Sequence, residues 1–105
     1  MAKEITVDNF ESLKAEGKPM VIDFWATWCG PCRMVSPIID ELSEEYKDQV
    51  IIGKIDVDEN NDLAVQFGVR NIPTILFFNK EGEMVNKLVG AQQKAAIVAE
   101  IQKIM

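Results

Sequence analysis

Two thiols and one carboxylate in an apolar setting are the groups of this chain whose types and spacing suit chemistry. Cys29 and Cys32 are its only cysteines, and they stand in the segment Trp28-Cys29-Gly30-Pro31-Cys32. Asp23 interrupts the apolar run Met20 to Ala26 just ahead of them. Thiols separated by two residues can close and reopen a disulfide. Pro31 suits the first turn of a helix, where its missing N–H goes unneeded. Cys29 then lies just before a helix N-terminus, where unpaired N–H groups and the positive end of the dipole favour a thiolate. Cys29 is therefore expected to be wet and ionisable, and Cys32, inside the first turn, buried and protonated.

Simpler readings of the pair are weaker. Two cysteines in a reducing compartment are often inert small hydrophobes. A structural disulfide closing so short a loop gains only about 2 kcal/mol from chain entropy. A zinc site needs four ligands, and two thiolates supply half of them. The chain has no histidine. That excludes a Cys-His protease, a Ser-His-Asp hydrolase and a histidine metal site within it. Whatever base serves these thiols is not an imidazole. Asp23 is the best candidate, because burial disfavours its charged form and raises its proton affinity. Lys54, inside another apolar run, reads equally well as its charge partner or as a side chain that snorkels to solvent.

Bulk composition narrows the function classes. A chain of 105 residues with 48% hydrophobic and 27% charged residues fits one globular domain, residues 1–105. The net charge of −6 argues against nucleic acid and anionic membrane surfaces as partners. No apolar run approaches the roughly 20 residues of a membrane span. Met1 to Ile5 lacks the apolar core of a secretory signal, so a cytoplasmic location is expected; separately, a monomer is expected. No glycine-rich dinucleotide fingerprint occurs, so no bound cofactor is expected, and no metal.

The elements that must position these groups are legible in the hydrophobic pattern. Glu4 to Val7 predicts a first strand, and Asp8 with Glu11 a helix-capping box. Met20 to Ala26, apolar on both alternating faces, predicts a central strand covered above and below. Val35, Ile38, Ile39, Leu42 and Tyr46 recur at helical spacing, with Asp40, Glu41, Glu44 and Glu45 on the wet face and a kink expected at Pro37. Val50 to Val57 predicts another buried strand. Asn60 or Asn61 is expected to cap a short helix through Phe67 that Gly68 ends. Thr74 to Asn79, a turn at Gly82 and Met84 to Val89 predict a hairpin. Ile97, Val98, Ile101 and Ile104 mark a last helix. The order β-α-β-α-β-α-β-β-α predicts an α/β fold in three layers, a central mixed five-stranded sheet flanked by four helices. Its strand–helix–strand units are expected to be parallel. The Cys29 loop follows the central strand, at the carboxyl edge where such sheets place their sites.

The chain resembles the thioredoxin family over essentially its whole length. The resemblance rests on Asp23-Phe24-Trp25-Ala26, Trp28-Cys29-Gly30-Pro31-Cys32, Pro37, Lys54-Ile55-Asp56-Val57-Asp58, Ile72-Pro73-Thr74 and Val89-Gly90. It implies the thioredoxin fold and a general protein-disulfide reductase. In that role Cys29 attacks a substrate disulfide and Cys32 resolves the mixed disulfide. Asp23 is implied as the base for Cys32, through a water. Pro73, which base rates alone would make trans, is implied to be cis and set against the disulfide. Trp28, Gly30, Pro31, Ile72, Pro73, Val89 and Gly90 are expected to form an uncharged docking patch for extended protein segments. Asn71 stands where many relatives carry a smaller residue. A lowered pKa enlarges the thiolate fraction but weakens the nucleophile, so docking must supply much of the rate. The implied partners are disulfide-containing proteins and a flavin-containing thioredoxin reductase that passes on electrons from NADPH.

Overall fold

Strand β2, Met20–Trp25, lies at the centre of the sheet because apolar side chains cover both of its faces. The computed structural model describes residues 1–105. Elements follow as β1 (Lys3–Glu4), α1 (Phe10–Lys14), β2, α2 (Cys32–Glu45), β3 (Ile51–Asp56), α3 (Asn61–Gln66), β4 (Thr74–Phe78), β5 (Met84–Val89) and α4 (Lys94–Ile104). The five strands order as β1-β3-β2-β4-β5.

Alternation along β2 divides the core. Met20, Ile22 and Phe24 pack with Phe10 and Leu13 of α1 and Leu63 and Ala64 of α3. Val21 packs on the opposite face with Val35, Ile39 and Leu42 of α2 and Ile97, Ile101 and Ile104 of α4. Two helices therefore cover each face, giving the expected three layers. By the same alternation Asp23 of β2 and Lys54 of β3 face α2, and the two are partners in the parallel β2–β3 register.

Several local expectations are corrected. The expected Glu4–Val7 strand is only Lys3–Glu4. The Asn9 side chain ends it by accepting from the Thr6 N–H at 2.8 Å and donating to the Glu4 carbonyl at 3.0 Å. That same engagement leaves α1 capped by no side chain, so the Asp8/Glu11 box does not form. Asn60 precedes α3 but does not cap it either. It is buried, accepts from the Val7 N–H at 3.0 Å and donates to the Asp56 carbonyl at 3.1 Å. Pro37 lies inside α2, as the helical spacing predicts.

The β3–α3–β4 unit is antiparallel, since β2 pairs with β3 parallel and with β4 antiparallel. The chain re-enters the sheet at the edge it left, and Ile72-Pro73 arrives beside the end of β2, where Thr74 stands opposite Phe24.

Candidate active site

The site forms where three connections meet at one edge of the sheet. After β2 the chain turns, with the Cys29 N–H donating to the Ala26 carbonyl at 3.2 Å, and enters α2 at Cys32. Pro31 takes the N-cap position with φ −60°, already the helical value. Cys29 and Cys32 are joined by a disulfide, with Cα atoms 5.4 Å apart. The Cys32 N–H donates to Cys29 Sγ at 3.2 Å. The first turn of α2 thus presents a donor to the sulfur of Cys29, which is the arrangement that stabilises a thiolate there once the bond opens.

The loop before β4 supplies the second wall. The Ile72–Pro73 bond is cis, as the resemblance implied. Cys29 Sγ lies 3.8 Å from the Ile72 carbonyl oxygen. The third wall comes from the end of β5, where the Gly90 N–H donates to the Pro73 carbonyl at 2.8 Å. Gly90 adopts φ 90°, a left-handed conformation that favours glycine. Val89 is brought in by the same contact. Trp28 is tied across the loop by its indole N–H, which donates to Asp58 Oδ2 at 2.9 Å.

Exposure differs from expectation at two positions. Cys29 is 4% exposed and Cys32 2%. Both are closed in while bonded, packed with Ala26 and against Trp25, Val57 and Ile72. Cys29 is therefore not wet in the oxidised state, because its sulfur turns inward to reach its partner. Pro73 is also buried, so it backs the patch and does not form its face. Trp28, Gly30, Pro31 and Val89 are exposed, with Ile72 and Gly90 half-buried. A Cβ at Gly30 would meet nothing within 4 Å, so the loop beside the disulfide faces open space. Asn71 uses its carbonyl, which accepts from the Thr74 hydroxyl at 2.5 Å.

Asp23 is fully buried, and neither carboxylate oxygen has a hydrogen-bond partner. Burial pushes its pKa up from 3.8 to about 7, against the pull of Lys54, with Asp40 adding to the rise. Lys54 does not pair with Asp23, one of the two readings the sequence left open. It forms a salt bridge with Asp40 Oδ1 at 3.1 Å and donates to Ser36 Oγ. Ser36 and Asp40 belong to the site's surroundings, although the helical pattern placed Asp40 on a wet face. The available signal was a second stripe on α2, since Cys32, Ser36 and Asp40 recur every four residues.

A bonded cysteine pair at the head of a helix, on the carboxyl edge of a central strand, beside exposed uncharged residues, defines a dithiol–disulfide oxidoreductase of the α/β class. Comparison with known proteins agrees. The thioredoxin family model matches residues 1–103. Thioredoxin 1 of Synechococcus elongatus is 47% identical over 104 residues, covering 98% of this chain and 96% of the relative. The bifunctional thioredoxin reductase/thioredoxin of Mycobacterium leprae is 41% identical over 96 residues, covering 91% of this chain and 21% of the relative. Among solved structures, Malassezia sympodialis thioredoxin superposes with a TM-score of 0.88 at 38% identity, covering 99% of this chain and 90% of the other. This chain belongs to the thioredoxin family, and its Cys29–Cys32 pair is the redox pair of a thiol–disulfide oxidoreductase. No helix is long and apolar enough to cross a membrane.

Proposed function

We propose that residues 1–105 act as one thioredoxin domain that reduces disulfides in other proteins, with Cys29 attacking and Cys32 resolving. The Cys29 thiolate attacks one sulfur of a substrate disulfide. An S–S bond forms to Cys29, and the substrate's other sulfur leaves as a thiolate and takes a proton. Cys32 then gives its proton to the Asp23 carboxylate and attacks Cys29 Sγ. The intermolecular bond breaks, the second substrate thiol is released, and the Cys29–Cys32 bond closes. Two electrons have passed to the substrate. The observation that carries this order is the Cys32 N–H aimed at Cys29 Sγ, which favours negative charge on Cys29 and not on Cys32. Asp23, buried and unpaired, is the base. Lys54 acts on Asp23 through its charge.

Trp28, Gly30, Pro31, Ile72, Val89 and Gly90 receive the substrate segment around its disulfide, with Pro73 supporting them from behind. None of these side chains carries a charge, which suits a range of sequences. Recharging is assigned to a flavin-containing thioredoxin reductase fed by NADPH. Support comes from the Mycobacterium leprae relative, whose name joins the two activities in one chain. A cytoplasmic monomer suits this exchange. The test is turnover of insulin disulfides. Cys29→Ser is expected to abolish it, and Cys32→Ser to leave a mixed disulfide visible by mass spectrometry of the intact protein. Full turnover by Cys29→Ser refutes the assignment.

A further inference from the structure

Asp23 is a buried carboxylate whose register partner is a lysine, yet the two do not bond. Neighbouring strands lie only about 4.8 Å apart, so an ammonium at Lys54 is within reach of Asp23 unless something else holds it. Two groups on α2 hold it, the Asp40 carboxylate and the Ser36 hydroxyl. Asp40 is itself fixed from the other side, accepting from the Ala2 N–H at 3.0 Å. Burial pushes the Asp40 pKa up, but the Ala2 N–H and Lys54 outweigh it and keep Asp40 ionised as an anchor. We infer that Ser36 and Asp40 are positioning residues that hold the Lys54 ammonium on α2 and so keep the Asp23 carboxylate unpaired and available to the Cys32 proton. The inference rests on Asp23 being the base for Cys32.

The consequence follows from electrostatics. A lysine bonded to Asp23 would stabilise its carboxylate and make it a poor acceptor at neutral pH. An ammonium held by Asp40 and Ser36 offsets only part of the burial cost at Asp23. The charged and titratable groups around Asp23 are few. Beneath it, β3 presents Lys54 and, two residues along the same face, Asp56. Beyond them β1 sets the exposed Glu4 beside Lys54. From above, α2 presents Asp40 and, in the reduced protein, Cys32. On the other side β4 sets Ile75 opposite Asp23 and brings no charge. Lys54 is the one cation in this set, so its position decides the balance. Lys54, Asp40 and Asp56 also line a solvent cleft of about 440 Å³ with Trp25 and Ala2.

The experiment is a titration of Asp23 by carboxyl-carbon NMR in the reduced full-length protein. Ser36→Ala removes one anchor and Ser36→Ala/Asp40→Asn removes both. Each is made with Lys54 present and in a Lys54→Met background, which separates the direct field of Asp40 from its hold on the lysine. With Lys54 present, both variants are expected to move the Asp23 midpoint toward acid, the double further. In the Lys54→Met background, Ser36→Ala is expected to have no effect and the double only a smaller one. Single-turnover release of the second substrate thiol at pH 7 is expected to slow about two- to five-fold in the double variant, a small share of the hundredfold or more that a positioned base supplies. An unmoved midpoint in the double variant, or equal shifts in both backgrounds, overturns the inference. If Asp23→Asn leaves thiol release unchanged while the titration behaves as expected, the anchoring stands and the base assignment falls.

Discussion

Asp23 and Asn60 are both buried polar side chains, but only Asn60 is satisfied. The difference has measurable consequences. The unfolded chain ionises Asp23 near 3.8, and the folded chain near 7. Below the lower value both states hold the proton. Between the two, the unfolded chain has released a proton that the folded chain keeps, so stability falls as pH rises, and above about 7 the loss is complete. A rise from 3.8 to about 7, at about 1.4 kcal/mol per pH unit, amounts to about 4 kcal/mol. Asp23→Asn removes the ionisation but leaves a buried amide, so a gain of about 2–4 kcal/mol is expected at pH 8, vanishing near pH 4. Urea unfolding at the two pH values measures it, and an equal gain at both rejects the ionisation argument. At neutral pH the same variant should slow mixed-disulfide resolution about a hundredfold or more. Asn60→Ala acts in the opposite direction. It orphans the Val7 N–H, while the Asp56 carbonyl keeps the Asn60 N–H at 3.0 Å. A loss of about 1–3 kcal/mol in urea unfolding is expected, with the pH dependence unchanged.

At the scale of elements, β1 depends on a residue that pattern reading passes over. A Cβ built on Gly53 would lie 2.4 Å from Ile5 Cδ1 and 2.9 Å from the Lys3 carbonyl oxygen. The Ile5 tip can rotate, but the Lys3 carbonyl is backbone in a strand and cannot yield without moving β1. Gly53→Ala is expected to cost about 1–3 kcal/mol by overpacking. Hydrogen exchange at the Ile5 N–H, which donates to the Lys54 carbonyl at 2.8 Å, should accelerate more than exchange in β2. Equal acceleration in both strands would place the damage elsewhere. Gly53 was illegible in the sequence because its role is a distance between two strands, and hydropathy has no distances. The same reason hid the grip of Asn60 on the remote Val7 backbone, where helix capping is the local expectation. By contrast β2, the Gly82 hairpin and the Cys29–Cys32 turn were legible, because continuous apolar character, turn chemistry and a motif are local properties. The direction of β4 is not legible in the pattern, because α1, shorter still than α3, joins two parallel strands. Of the site, Cys29, Cys32 and Asp23 stand out by type, whereas Ser36 and Asp40 take their place only through Lys54, which sits between them in space.

The molecule as a whole is small compared with the reach of its own field. Its principal extents are 31 × 29 × 22 Å and its net charge is −6. At 0.01 M ionic strength the Debye length is about 30 Å, so an approaching substrate feels the total charge. At 1 M it is about 3 Å, and only contacts matter. The proposed docking surface contributes no charged side chain of its own, so the affinity of the final complex need not depend on sign. Encounter does. Steering acts on association rates, and substrates of opposite charge are collected faster. Two disulfide peptides of equal length, one flanked by lysines and one by glutamates, separate these effects. The second-order rate of reduction for the lysine peptide is expected to fall several-fold between low and high salt. That for the glutamate peptide should rise, and the two should converge at high salt, where the shared uncharged surface alone discriminates. Parallel salt dependences would mean that a salt effect on the chemistry itself outweighs the field of the protein, and an inverted pair of dependences that a local cation such as Arg33 outweighs the net charge.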